Sequence, residues 1–193
     1  MVKKSEDIQA ALDEAFKWDD EVLVQEYIPG REIRLGVSKR DGEIEVHALL
    51  EYLFNERTEI RDKNAKYCHD DEGMAMHFNI PAKSDTALKI QCPAATSDAL
   101  TKELTEMAKK SFMALNCKDY AVFDFRIAPP NKDGVEVPYF LEICPYASFS
   151  PFSVIVTIAN RNKEIGREDV QHPKLMNDLL QQSIKDSKRY KID

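Results

Sequence analysis

Hydrophobic residues recur at helical spacing in several parts of the chain. The pattern predicts a helix over residues 6–17, capped by Ser5, and a second helix after Ser97 that ends at Asn116. The apolar face of the first comprises Ile8, Ala11, Leu12, Ala15 and Phe16. The stripe of the second comprises Leu100, Leu104, Met107, Ala108, Ser111 and Leu115. Residues 150–193 are predicted to form two more helices, with a polar connection near residues 166–173.

Alternating hydrophobic and polar residues predict the strands. These cover residues 21–28, 31–38, 43–51, 120–127 and 137–143. One face of the third strand is predicted to carry Ile44, Val46, Ala48 and Leu50. Residues 55–96 are polar, and only loops and edges are expected there, with short candidates at 65–68 and 78–81. Because hairpins and helices are mixed, the pattern favours an α+β fold over a doubly wound parallel sheet.

Composition narrows the class of protein. The 193 residues, of which 43% are hydrophobic, suffice for one domain or two small lobes. A formal net charge of −7 argues against binding to nucleic acid or an anionic membrane. No apolar run predicts a membrane-spanning helix or a signal peptide. Four dispersed cysteines predict neither a disulfide framework nor a zinc site, so a cytoplasmic protein is expected.

The hairpin at residues 120–144 carries the most informative pattern. With its turn near Asp133, a simple register places Asp124 opposite Glu142. The same face is predicted to carry Val122, Arg126, Phe140 and Cys144. Facing carboxylates need a shared proton, Arg126 or a divalent cation to neutralise them, and oxygen ligands suit Mg²⁺. The alternative is a solvated sheet face on which Arg126 makes ordinary cross-strand pairs.

Several motifs along the chain resemble those of one ligase family. Residues 121–126 and 139–145 resemble the metal-binding hairpin of ATP-grasp ligases, and residues 22–32 resemble their nucleotide-binding strand and turn. The short motifs at 65–67, 92–94 and 115–120 are similar, in order and spacing, to motifs of D-alanine–D-alanine ligases. The resemblance spans roughly residues 5–160.

The resemblance implies a fold and a reaction. The fold is the C-terminal portion of an ATP-grasp enzyme, a mainly antiparallel sheet packed with helices. Residues 1–42 would be the remainder of the small lobe. Residues 43–193 would form the large lobe, with the hairpin at 120–144 and the C-terminal helices. ATP would phosphorylate a small-molecule carboxylate, and an amine, for instance a D-amino acid, would attack the acylphosphate to form an amide.

The resemblance also assigns roles to individual residues. Glu32 would bind the ribose hydroxyls, and Lys66 would contact the transferred phosphoryl group. The adenine edge would be met by the strand that carries Gln25, Glu26 and Ile28. One or two Mg²⁺ ions, or Mn²⁺, would be held by Asp124, Glu142 and the position of Cys144. Ser153 would help to bind the second substrate, and the backbone of Ser148 would lie at the oxyanion.

Two positions in the hairpin depart from the family pattern. Cys144 stands where the family has an asparagine ligand, and a thiol is a poor ligand for Mg²⁺. Val122 stands where the family has an arginine. Arg126, about 7 Å from Asp124 along the same strand face, is predicted to substitute for that arginine in part.

Three functions remain open on the sequence. The first is the C-terminal part of a ligase, weak or inactive alone, because the resemblance places the N-terminal lobe and a phosphate-covering loop before residue 1. The chain would then be a fragment of a longer enzyme or one part of a split enzyme, and its partner would be the missing lobe or a second copy in a homodimer. The second is a degenerate, non-catalytic module that binds nucleotide or protein. The third makes Asp124 and Glu142 the two acids of a retaining glycosidase.

Overall fold

The computed structural model describes residues 1–54, 60, 68–69, 75–76, 89–146, 148, 153–168 and 171–189. Its helices are α1 (Ile8–Ala15), α2 (Asp98–Ala114), α3 (Val154–Arg161) and α4 (His172–Arg189), and 3-10 turns cover Ser5–Asp7 and Asn162–Ile165. The long strands are β1 (Arg31–Arg40), β2 (Glu43–Leu53), β6 (Tyr120–Ala128) and β7 (Val137–Cys144). The short strands are β3 (Cys68–His69), β4 (Ala75–Met76) and β5 (Lys89–Gln91).

Five strands form one antiparallel sheet in the order β5-β2-β1-β6-β7, and β3 pairs with β4. This architecture confirms the predicted α+β fold. Helix α2 covers one face, where its Leu104 and Phe112 pack with Phe123 and Phe125 of β6. Helices α3 and α4 cover part of the other face. No helix in the described part of the chain is both long and apolar enough to cross a membrane.

Helix α2 matches the prediction at both ends. The Ser97 hydroxyl accepts a hydrogen bond from the Leu100 backbone N–H at 3.2 Å, which caps the first turn. Asn116 adopts a left-handed conformation with φ of 51°, which ends the helix as predicted. At the last turn the buried residue is Phe112, whereas Leu115, predicted to complete the stripe, is exposed.

A β-bulge changes which residues of β2 face each core layer. The pairing with β1 shifts by one residue between Leu35 and Val37, and a shift of one residue reverses the faces of a strand. Ile44 and Val46 therefore pack in the layer under α2, whereas Ala48 and Leu50 pack on the opposite face. The prediction that all four share one face is wrong for this reason.

The N-terminal segment differs from its prediction. Residues 21–28 form no strand, because no described strand lies beside them to pair with their backbone. Ser5 does not cap the first helix but begins a 3-10 turn, and α1 buries none of its residues. The lobe boundary after residue 42 stays a prediction; residue 42 itself lies in the turn between β1 and β2, two strands that pair directly. Residues 1–30 precede the sheet.

Candidate functional site

A cleft of about 280 Å³ lies on the sheet face that α3 and α4 cover only in part. Its walls are the extended segment before β1, the adjoining end of β1, and the paired strands β6 and β7. The residues that line it are Gln25, Glu26, Tyr27, Ile28, Glu32, Ile60, Asp124, Arg126, Leu141 and Glu142. The described structure thus brings together seven of the residues that the sequence singled out.

Three other candidate residues do not line the cleft, and a fourth is outside the described part of the chain. Cys144, Ser148 and Ser153 do not line the cleft, and Lys66 lies outside the described residues. Ser153 caps α3, since its hydroxyl accepts a hydrogen bond from the Val156 N–H at 3.5 Å. Ser148 is exposed. The catalytic roles of these residues stay predictions.

Arg126 fixes the extended segment against the sheet. Its Nε donates to the Ile28 carbonyl at 2.9 Å, and its Nη2 donates to the Tyr27 hydroxyl at 3.0 Å. Its Nη1 lies 3.4 Å from a carboxylate oxygen of Glu32, and both side chains of that pair are buried. The guanidinium also lies over the ring of Phe54, 5.0 Å from its centroid. Arg126 therefore positions the wall that carries Gln25–Ile28.

Gly30 allows the segment to turn tightly into β1. Its φ is +117°, and a Cβ atom there would lie only 2.1 Å from the Ile127 carbonyl oxygen. At Gly30 the backbone of the segment thus passes close to the backbone of Ile127, near the end of β6. A side chain at this position would push the cleft wall away from the sheet.

The predicted register of the carboxylates is confirmed. Asp124 of β6 pairs with Glu142 of β7, and Val122 pairs with Cys144. The register then shifts by one residue, so that Phe125 pairs with Phe140, and this shift marks a β-bulge. Phe140 therefore lies on the opposite face, 6.1 Å from Phe123 and 5.7 Å from Phe125 between ring centroids. Its predicted place beside the carboxylates is wrong because of that bulge.

The cation that neutralises Asp124 is Arg34, which the sequence reasoning did not consider. β1 pairs with β6 so that Arg34 lies directly opposite Asp124, and its Nε and Nη2 donate to the two carboxylate oxygens. Burial alone would lower the pKa of the Arg34 guanidinium. The hydrogen bond to Asp124 and the nearby Tyr52, Asp124 and Glu32 raise that pKa above its usual value.

The side chains of Asp124, Glu142 and Cys144 fit the binding of one hard cation better than the binding of two. Glu142 is an exposed carboxylate in the cleft, whereas both oxygens of Asp124 accept hydrogen bonds from Arg34. The Cys144 thiol donates to the Tyr146 carbonyl and is a soft ligand. Among the described residues, no three His, Cys, Asp or Glu side chains form a metal-binding group. The residues present do not fit a two-ion centre on Asp124, Glu142 and Cys144.

A family of known proteins matches nearly the whole chain. The family described as "D-ala D-ala ligase C-terminus" matches residues 1–181, so the chain belongs to this family. The chain is 31% identical to the D-alanine–D-alanine ligase of Trichlorobacter lovleyi over 170 residues, which are 87% of this chain and 45% of the relative. It is 29% identical to that of Geobacter sulfurreducens over 172 residues, 88% and 45% of the two chains.

Solved structures of ligases share the fold. The D-alanine–D-alanine ligase of Bacillus anthracis in complex with ATP matches with a TM-score of 0.65 at 22% identity, covering 97% of this chain and 51% of that one. The VanG D-Ala:D-Ser ligase of Enterococcus faecalis matches with a TM-score of 0.61 at 22% identity, covering 92% and 43%. The chain spans about half the length of the relatives it matches.

Proposed function

We propose that this chain is the nucleotide-binding, C-terminal part of an ATP-dependent carboxylate–amine ligase of the D-alanine–D-alanine ligase type. The observation that carries the proposal is the cleft itself, which places Gln25–Ile28, Glu32, Asp124 and Glu142 around one space. Family membership and the ATP complex of the Bacillus anthracis relative support the same assignment.

The wall of the cleft suits a nucleoside. The extended segment has no strand beside it among the described residues, so the backbone groups of Glu26 and the N–H of Ile28 can meet the polar edge of adenine, while the Ile28 carbonyl accepts from Arg126. Glu32 lies at the start of β1 with Arg126 as its counter-ion, and its carboxylate would accept hydrogen bonds from the ribose hydroxyls. Arg126 contacts both the Ile28 carbonyl and Glu32, and so fixes the extended segment relative to the start of β1.

The polyphosphate would extend along the sheet toward Glu142. ATP would arrive as its Mg²⁺ complex, and Glu142 is the exposed carboxylate that would meet the ion. The nucleotide supplies the phosphoryl group that activates the substrate carboxylate, and the amine then displaces phosphate to form the amide. The substrates would be small amino acids, as the names of the relatives indicate. The same proposal includes a D-amino acid as a substrate and the division between lobes after residue 42. It also includes a homodimeric assembly and a cytoplasmic location.

A second candidate function is nucleotide binding without turnover. It is favoured by the ion pair that occupies Asp124 and by the thiol of Cys144, which turns to the Tyr146 carbonyl. Both candidates require ATP to bind in the cleft. Release of ADP and phosphate in the presence of D-alanine, by a chain extended upstream, would decide for the ligase, and tight ATP binding without release would decide for the binding module.

Calorimetric titration with ATP, in the presence and absence of Mg²⁺, tests the proposal. We expect binding by the unaltered chain, a Mg²⁺-dependent gain that Glu142→Gln removes, and unchanged binding by Glu103→Gln, a matched loss of charge on the exposed face of α2. Glu32→Gln should weaken binding with or without the metal. Absence of ATP binding under both conditions would overturn the proposal.

A further inference from the structure

The buried ion pair of Arg34 and Asp124 joins a carboxylate that lines the cleft to an arginine of the neighbouring strand. Their side chains are only 14% and 6% exposed, and two parallel hydrogen bonds join them. Bidentate pairs of this kind are among the strongest charge-assisted contacts in proteins. A divalent cation could bind Asp124 only in competition with the guanidinium.

Arg126, the second arginine at the cleft, is bound differently. Its contact with Glu32 is a single one at 3.4 Å, and its other donors hold Tyr27 and the Ile28 carbonyl. Asp124 is bound instead by Arg34, which lies directly opposite it on β1 and donates to both of its oxygens. The two arginines therefore neutralise different carboxylates: Arg34 pairs with Asp124, and Arg126 pairs with Glu32.

Arg34 also retains a donor. Nε and Nη2 are engaged by Asp124, whereas Nη1 makes no hydrogen bond to any of the residues that the structure describes. A guanidinium presents five N–H donors in a rigid plane, so one group can bind a carboxylate while another binds a phosphate oxygen. Arg34 does not itself line the cleft, but it lies directly opposite Asp124, which does, so the pair holds a guanidinium with a further donor beside a carboxylate of the cleft.

We propose that Arg34 is an internal counter-cation that competes with a divalent ion for Asp124, so that the cleft binds nucleotide with at most one ion, at Glu142. Arg34 then supplies positive charge to the phosphates where a second ion would otherwise be needed. The nucleotide part of this inference rests on the proposed function. The metal part rests on the ion pair alone and can be tested without nucleotide.

The first test titrates the chain with Mn²⁺ alone and follows the free ion by electron paramagnetic resonance. Arg34→Met should raise Mn²⁺ affinity about tenfold, because it frees both oxygens of Asp124. Adding Asp124→Asn to Arg34→Met should cancel the gain. Arg40→Met removes the same charge from the same strand, outside the cleft, and leaves the Arg34 pair intact, so it should change Mn²⁺ affinity far less.

The second test titrates ATP into metal-free protein in EDTA. The unaltered chain should bind, and Arg34→Met should weaken this binding about tenfold, since the phosphates lose a fixed cation. If Arg34→Met does not fold, Arg34→Lys serves instead, because it keeps the charge but cannot make the bidentate pair. It should still raise Mn²⁺ affinity.

The two proposals can fail separately. If no variant binds ATP under any condition, the proposed function falls, and the Mn²⁺ titration still decides the role of Arg34. If Mn²⁺ affinity is the same with and without Arg34, or rises equally in Arg40→Met, the internal counter-cation is overturned even where ATP binds.

Discussion

Asp124 and Glu142 are direct cross-strand partners, and the register of their hairpin shifts by one residue immediately beyond them. The bulge places the partly exposed ring of Phe140 beside Phe123 and Phe125 on the face opposite the cleft, while Glu142 stays in the cleft. Phe140 and Glu142, two residues apart in β7, therefore face opposite sides of the sheet. This arrangement allows a polar cleft to lie directly over a sheet whose other face is packed with aromatic side chains.

Removing the carboxylate of Asp124 should destabilise the fold. Asp124→Asn would leave the Arg34 guanidinium without its charged partner in a nearly buried position, and we expect a loss of about 3 kcal/mol in unfolding free energy. Urea denaturation of Asp124→Asn, of Arg34→Met and of the double variant measures the coupling. Glu142→Gln, on the exposed partner, should change stability by less than about 0.5 kcal/mol. Equal effects at the two carboxylates would contradict the prediction.

Gly30→Ala should disturb the cleft wall. The new Cβ would lie 2.1 Å from the Ile127 carbonyl oxygen at a φ of +117°, so a loss of about 2 kcal/mol in stability is expected, together with weaker ATP binding. Gly42→Ala provides the control, since its φ is +92° but nothing lies within 4 Å of the added atom. That variant should lose about 1 kcal/mol and bind ATP normally. The prediction fails if the two variants behave alike.

A buried polar network ties the segment after α3 to the sheet. The Asn162 Oδ1 accepts a hydrogen bond from the Ala48 N–H at 2.9 Å, which directs its amide nitrogen to His47 Nδ1 at 3.2 Å. His47 Nε2 then donates to the Ser38 hydroxyl at 3.0 Å. Asn162→Leu should therefore lower the unfolding free energy by about 3 kcal/mol, since it leaves buried groups without these partners.

Two measurements check this network. Urea denaturation should show little effect for Asn177→Leu, the same substitution on the exposed face of α4. Nitrogen NMR of the ring should find His47 neutral with its proton on Nε2. A proton on Nδ1, or equal stability of the two leucine variants, would rule out the network as described.

Cys92 should be slow to react with alkylating agents. Burial raises the pKa of its thiol to about 12, so the reactive thiolate is scarce in the folded protein at neutral pH. We expect the rate of iodoacetamide labelling at Cys92 to rise about tenfold per pH unit from pH 7 to 10 without levelling off. The urea-unfolded chain, followed by peptide mass spectrometry, should level off near pH 9. A plateau below pH 9 in the folded chain would show that the thiol is not shielded.

Local patterns in the sequence predicted most elements, and long-range pairing explains what they missed. Both ends of α2 and the partnership of Asp124 with Glu142 depend on residues close in the chain, and both are confirmed. Arg34 meets Asp124 only because β1 pairs with β6, some ninety residues away, and no local pattern carries that information. The sequence did contain one indication of this contact: Arg34 follows Glu32 by two residues and so lies on the same face of the strand.

The remaining errors also have physical causes. Each bulge reverses the faces of a strand with one extra residue, which alternation alone cannot reveal in β2 or β7. Residues 21–28 have a strand-like pattern, but a strand forms only where a neighbour supplies hydrogen bonds. Pattern predicts what a segment can form, and the neighbouring chain decides whether it does.

Photolabelling with 8-azido-ATP tests most directly whether this cleft is the nucleotide site. The azido group reports on the surroundings of adenine, so the labelled peptide should contain Gln25–Ile28, and excess ATP should abolish the label. Glu32→Gln should reduce labelling in the same peptide. Labelling that maps away from the cleft, for example to α4, or that persists in excess ATP, would contradict nucleotide binding at this site.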